Sequence, residues 1–163
     1  RKLLRQDVNL NPQTTTQQLH YVPRIRYTEL YLIYAEAANE AFGPLGTGSF
    51  GFSAYDVIAA IRSRAGITQP DAYLESIKSD EAAMRDLIRN ERRLELCFEG
   101  FRFWDLRRWG LDLTETAQGV SIENGTPQII TVEPRNYQDY MQYGPVPYSE
   151  ILKFDALQQN QGW

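Results

Sequence analysis

Residues 90–110 read NERRLELCFEGFRFWDLRRWG, and this stretch decides the fold. On a helix at about 100° per residue, Met84, Leu87, Leu94 and Phe98 share one face. Glu91 and Glu95 fall in the middle of that face. A carboxylate inside an apolar stripe is costly unless it is paired or hydrogen-bonded. Asp80 and Glu81 suit the positive end of a helix dipole, so the helix is predicted to start there. It is predicted to run to Glu99, where Gly100 breaks it. A short helix, FRFWDLRRW, follows and stops at Gly110.

Three kinds of chemistry use glutamates at this spacing. Paired carboxylates hydrolyse glycosides when they flank a substrate in a cleft. Here the two project side by side from one helix, with Cβ atoms about 6 Å apart, among Leu and Phe where a sugar could hardly enter. A hard cation is the second option, with Glu99 as a third ligand. Di-iron bundles require Glu-x-x-His motifs, and calcium prefers about six to eight oxygens from a shaped loop. The third option is structural. Arg62 and Arg64 precede the stretch, and Arg102, Arg107 and Arg108 follow Gly100; a guanidinium forks onto a carboxylate with two hydrogen bonds. The pattern favours this scaffold role, so no catalytic residue, metal or cofactor is assigned. Removing one partner of the buried network is expected to cost about 3–5 kcal/mol. Trp109 is expected to be largely buried and to contribute packing.

Working outward, residues 1–24 are polar and Gln/Thr-rich and read as irregular. From Ile25, IRYTELYLIYAEAANEAFG gives a helix. Its apolar face is expected to hold Tyr27, Leu30, Tyr31, Tyr34, Ala37, Ala38 and Ala41, opposite Glu29, Glu36 and Glu40. Gly43-Pro44 ends it, and GPLGTGSFG reads as a flexible connector whose glycines do not match a phosphate-binding loop. Ser53 caps a second helix with Asp56 in capping position; Tyr55, Ile58, Ile61 and Ala65 form its face and Gly66 stops it. This pair is similar to one tetratricopeptide-like hairpin, with no second copy at a fixed period. Residues 67–79 read as a linker with Pro70. The run IITV at 129–132, among Gly119, Gly125 and Pro127, predicts a short strand or hairpin. The aromatic segment 137–163 carries Pro145 and Pro147, which preclude a regular helix, and reads as a tail laid across the helices.

Composition narrows the function classes. The chain has 163 residues, the length of a single domain, and its 17 basic and 21 acidic residues are mixed along it. No basic block stands alone, so nucleic acid is not a predicted partner. Cys97 is the single cysteine, which rules out an internal disulfide and a thiolate metal cluster. His20 lies in a polar stretch with no companion to complete a ligand set. No run of about 18 apolar residues could span a membrane as a helix. The 10 Tyr, 7 Phe and 3 Trp serve core packing, or the stacking of flat, weakly polar ligands such as sugars.

The motif at 91–110 resembles the signature E-R-R-x-E-L-x-F-E-G-x-R-x-x-D-L-R-R-W of the SusD/RagB family. It matches at Glu91, Arg92, Arg93, Glu95, Leu96, Phe98, Glu99, Gly100, Arg102, Asp105, Leu106, Arg107, Arg108 and Trp109. RYTELYLIYAEAANEA and YDVIAAIRSRAGI resemble two family helices in order. YGPVPYSEI and QNQGW resemble its closing segments, with Gln161 where the family has proline. The resemblance implies a mainly α fold of tetratricopeptide-like helix pairs, with a short β element and an irregular Pro- and aromatic-rich C-terminal tail. It implies residues 1–163 as one domain, the C-terminal portion of a longer protein; an opening without Met fits that expectation. It further implies a non-enzymatic lipoprotein at the outer-membrane surface that binds oligo- or polysaccharide and caps a SusC-like TonB-dependent transporter.

In that frame Glu91, Glu95, Glu99, Arg92, Arg102, Asp105, Arg107, Arg108 and Trp109 are read as a structural network. Tyr137, Tyr140 and Tyr143 are the ligand-binding candidates: their rings, beside Asn136 and Gln138, either stack on sugars or pack on the protein's own helices. The rival function is a tetratricopeptide-like scaffold offering a concave helical face to a peptide.

Overall fold

The structure is a computed structural model and describes residues 7–9, 11–14, 16 and 24–163. His20 and most of the polar N-terminal stretch lie outside the described residues. The chain divides into two compact units, residues 1–95 and 96–163.

The first unit is helical: α1 (Tyr27–Phe42), α2 (Ala54–Arg64), α3 (Ala72–Ile77) and α4 (Glu81–Glu95). Each start has a local cause. The Ser53 hydroxyl accepts from the Asp56 N–H at 3.2 Å while the Asp56 carboxylate accepts the Ser53 N–H at 2.8 Å, a complete capping box. Asp71 accepts from the backbone of Tyr73 and Leu74 and opens α3, a helix inside the stretch expected to be a linker. Asp80 accepts from the Ala83 N–H at 3.0 Å and opens α4.

Helix α1 packs on α2 and α4, through a different face from the expected one. Its buried residues are Thr28, Leu32, Ala35, Ala38 and Asn39, whereas Tyr27 is 80% exposed and Leu30 and Tyr31 about half exposed. The stripe is rotated because two polar residues inside it find partners on neighbouring helices. The Thr28 hydroxyl accepts from Arg64, and the buried Asn39 amide donates to the Glu81 carbonyl at 3.0 Å. Ala35 and Ala38 let the neighbours approach. The loop after α1 is fitted rather than free: Gly46 and Gly48 lie so close to Phe42 that a Cβ at either would collide with it.

Helix α4 buries Met84, Leu87, Ile88, Glu91 and Arg92. It ends at Glu95, four residues before the expected break, because Phe98 turns left-handed at φ 64°. The turn carries Phe98 out of the stripe to 85% exposure, and Leu94 is also exposed. The Arg26 guanidinium donates to the Glu95 carbonyl at 2.7 Å, satisfying one acceptor that the helix end leaves free.

The second unit holds α5 (Phe101–Arg108), β1 (Ala117–Glu123), β2 (Thr126–Glu133), a 3-10 turn at Asp139–Gln142 and α6 (Tyr148–Ile151). The strands form an antiparallel hairpin with Val120 opposite Ile129, turned by Asn124-Gly125, both at positive φ. The tail folds back on itself. The Gln159 amide bridges the Val146 N–H and carbonyl at 2.7 and 3.0 Å, and Asn160 donates to the Gly144 carbonyl at 2.6 Å. The prolines confine helix to the single turn of α6, which starts directly after Pro147.

Candidate functional site

The two stripe glutamates meet arginines from α2. Arg62 reaches Glu91 at 2.6 Å and Asp71 at 2.5 Å, so one guanidinium joins α2, the start of α3 and α4. All three side chains are at least 86% buried, being 14%, 7% and 5% exposed. The Arg62 hydrogen bond holds the Asp71 carboxyl below its ordinary value, against burial that pushes it up; the Leu74 and Tyr73 N–H groups add to the lowering. The paired carboxylates raise the pKa of Arg62 in turn. Glu95 pairs with Arg64 in a more open setting, where the arginine side chain is 57% exposed. Each carboxylate of this cluster thus has an arginine partner. Asp71 and Arg26 were not singled out in the sequence, although Asp71 stands just after Pro70 in N-cap position, a signal that could have found it.

The remaining network residues lie elsewhere. Arg92 is buried in α4, while Glu99 and Arg102 are half-buried. In the second unit, buried Asp105 accepts from Arg108 at 2.9 Å. Arg107 lies 3.6 Å over the Phe103 ring and donates to the Phe103 carbonyl at 3.1 Å. Trp109 is partly buried, with the Arg108 guanidinium 4.5 Å from its ring. The short α5 cannot enclose every ring of FRFWDLRRW, and Phe103 and Trp104 are left exposed.

The three tyrosines are not equivalent. The Tyr137 hydroxyl donates to the Gln142 side chain at 3.2 Å, and the Tyr140 ring meets Trp163 edge-on at 5.1 Å. Both are engaged in holding the tail. Tyr143 is 72% exposed, while its carbonyl accepts the Trp163 indole N–H at 3.0 Å. It therefore presents a ring to solvent from a fixed backbone, as a stacking residue must. Among the described residues, no group of three or more His, Cys, Asp or Glu could hold a metal ion. Nor is any helix among them long and apolar enough to cross a membrane.

The profile of the SusD family matches residues 1–163. The chain is 31% identical over 145 residues to SusD-like protein P25 of Formosa agariphila, covering 88% of this chain and 24% of that protein. It is 37% identical over 93 residues to SusD-like protein P2 of the same organism, covering 55% and 17%. Among solved structures, a SusD-like protein of Bacteroides fragilis is similar with a TM-score of 0.67 and 34% identity, over 85% of this chain and 25% of that one. A SusD superfamily protein of Parabacteroides distasonis gives a TM-score of 0.54 and 25% identity, over 86% and 27%. The chain spans about a quarter of the length of these longer matches.

Proposed function

The chain belongs to the SusD family, and on that premise we propose that it is part of a non-catalytic glycan-binding protein of the outer-membrane surface, working with a SusC-like TonB-dependent transporter. The family match along the whole chain carries this reading. Within it, these 163 residues serve mainly as helical framework, with the Arg62–Asp71–Glu91 cluster joining three helices. Tyr143 is the ring in the tail best placed to touch a sugar, because it is exposed and its backbone is fixed.

The test is isothermal titration of the protein, at the length its gene encodes, against a panel of soluble oligo- and polysaccharides. Binding of at least one glycan without its hydrolysis is the expected result. Absence of binding across the panel, or release of reducing ends, would refute the proposal. In the same assay, Tyr143→Ala is expected to leave affinity within a few-fold if this region is framework. A loss of about tenfold or more, comparable to one stacking contact, would instead make the tail the binding site.

A further inference from the structure

Asn124-Gly125 is the one Asn-Gly step in the chain, and the hairpin places it at an exposed tip. Strands β1 and β2 pair down to Glu123 opposite Thr126, so these two residues alone make the turn, at φ 50° and 78°. Positive φ at both central positions is the type I′ turn, which Asn-Gly suits. The same dipeptide has a chemical liability. A backbone nitrogen can attack the carboxamide carbon of the asparagine before it, and glycine, having no side chain, hinders that attack least.

The site is open to this reaction. A Cβ at Gly125 would meet no atom within 4 Å. Among the described residues, none bonds the Asn124 carboxamide or the Gly125 N–H. Other asparagines are held or blocked. Buried Asn39 donates to the Glu81 carbonyl, Asn9 to Thr14 and Asn160 to the Gly144 carbonyl. Asn11 precedes Pro12, which has no N–H to lose, and Asn90 lies within α4. The hairpin around Asn124 also opens at little cost. Its sheet has two strands, and Val120, Ile122, Ile129 and Val132 are exposed, so few packed side chains hold it shut. Local opening lets the turn leave its type I′ geometry and bring the Gly125 nitrogen onto the Asn124 side chain.

We propose that Asn124 is a site of spontaneous deamidation and isoaspartate formation, and that this modification loosens the β1–β2 hairpin. The Gly125 nitrogen forms a bond to the Asn124 carboxamide carbon, its proton passes through water to the side-chain nitrogen, and that C–N bond breaks to release ammonia. The product is a cyclic imide. Water then opens the ring: cleavage at the backbone carbonyl leaves isoaspartate, and cleavage at the side-chain carbonyl leaves aspartate. Water is the only co-reactant. Either product sets a new carboxylate beside Glu123. Isoaspartate also routes the chain through an extra backbone carbon, which the two-residue turn between Glu123 and Thr126 does not accommodate.

The inference does not depend on which ligand the protein binds. The test incubates the protein at its encoded length in heavy-oxygen water at mildly alkaline pH. Peptide mass spectrometry then locates the label, and protein L-isoaspartyl methyltransferase marks the isoaspartate. Asn124 should take up heavy oxygen about tenfold faster than any other asparagine, with isoaspartate the larger product. Asn124→Gln, whose longer side chain closes a less favoured ring, should lose the signal. Labelling of Asn124 no faster than of the other asparagines, or a glycan already fixed to the Asn124-Gly125-Thr126 acceptor pattern, would overturn the proposal. Hydrogen exchange of residues 117–133 reads the consequence. The isoaspartate form should exchange about tenfold faster than Asn124→Asp, which carries the charge without the extra carbon. Equal rates in the two forms would overturn the loosening of the hairpin.

Discussion

Replacing Arg62 by Met removes the cation that serves two buried carboxylates, and its cost follows from the geometry. Arg62 contacts Asp71 at 2.5 Å and Glu91 at 2.6 Å, with side chains 14%, 5% and 7% exposed. Charge centres about 4 Å apart attract by roughly 4 kcal/mol at an effective dielectric of about 20, and there are two such pairs. Desolvation cancels much of that sum in the intact cluster, but truncating one partner leaves the other's desolvation uncompensated, which costs about 3–5 kcal/mol. Asp71 keeps its two backbone donors, so the loss should sit within that range rather than double it. Native-state hydrogen exchange is the suitable assay, because the chain has two compact units and a single global transition is not assured. Opening free energies of α2 and α4 amides should fall by about 3–5 kcal/mol, with α5 amides as the internal reference. Adding Glu91→Met to Arg62→Met should restore about 1–2 kcal/mol, since an apolar pair no longer strands the Glu91 charge. A loss under about 1 kcal/mol for Arg62→Met, the scale of a surface pair, would refute the reasoning.

Three further outcomes follow from neighbouring features. Glu95→Ala should cost only about 1 kcal/mol by the same exchange measurement, because Arg64 is 57% exposed and Arg26 binds the Glu95 backbone carbonyl, which survives. Glycan binding by the protein at its encoded length should not change; normal stability with lost binding would overturn the structural assignment of Glu95. Asp71→Asn tests the sign of a titration. The folded carboxyl lies below its ordinary 3.8, so its stabilisation is complete above that value and is lost as pH falls through the lower folded value. The variant should therefore be less stable near neutrality and show a shallower decline in acid, read from the pH dependence of α2 and α3 amide exchange. Gly162→Ala forces a side chain onto a residue at φ 95° and against the Tyr140 ring, and should weaken tail closure by about 1–3 kcal/mol. Faster exchange of the Trp163 indole N–H, which is bonded to the Tyr143 carbonyl, would report it.

Where the sequence could be read and where it could not has a physical pattern. Helix α4 was legible because its stripe of Met84, Leu87 and Glu91 runs against a very polar opposite face. Its stripe glutamates meet α2 arginines, two residues that lie about 30 positions earlier in the chain. The caps of α2 and the stop at Gly66 were legible because they are closed by residues within a few positions of each other. The buried face of α1 was not. In a hydropathy pattern Tyr27, Leu30 and Tyr31 outvote Thr28 and Asn39, and only contacts far along the chain, Arg64 and the Glu81 carbonyl, make those two polar residues suited to burial. Helix α3 has six residues, too few to display a period, and its cap Asp71 was the one local sign of it. The end of α4 was misplaced because the left-handed turn after it falls at Phe98, a bulky residue in a conformation that usually belongs to glycine, while Gly100 drew the expected break. Of the residues expected on the buried face, Ala38 is in the core, whereas Tyr27 and Tyr31 line an open groove beside α2. Periodicity reports which face is apolar and carries no information about which neighbour covers it.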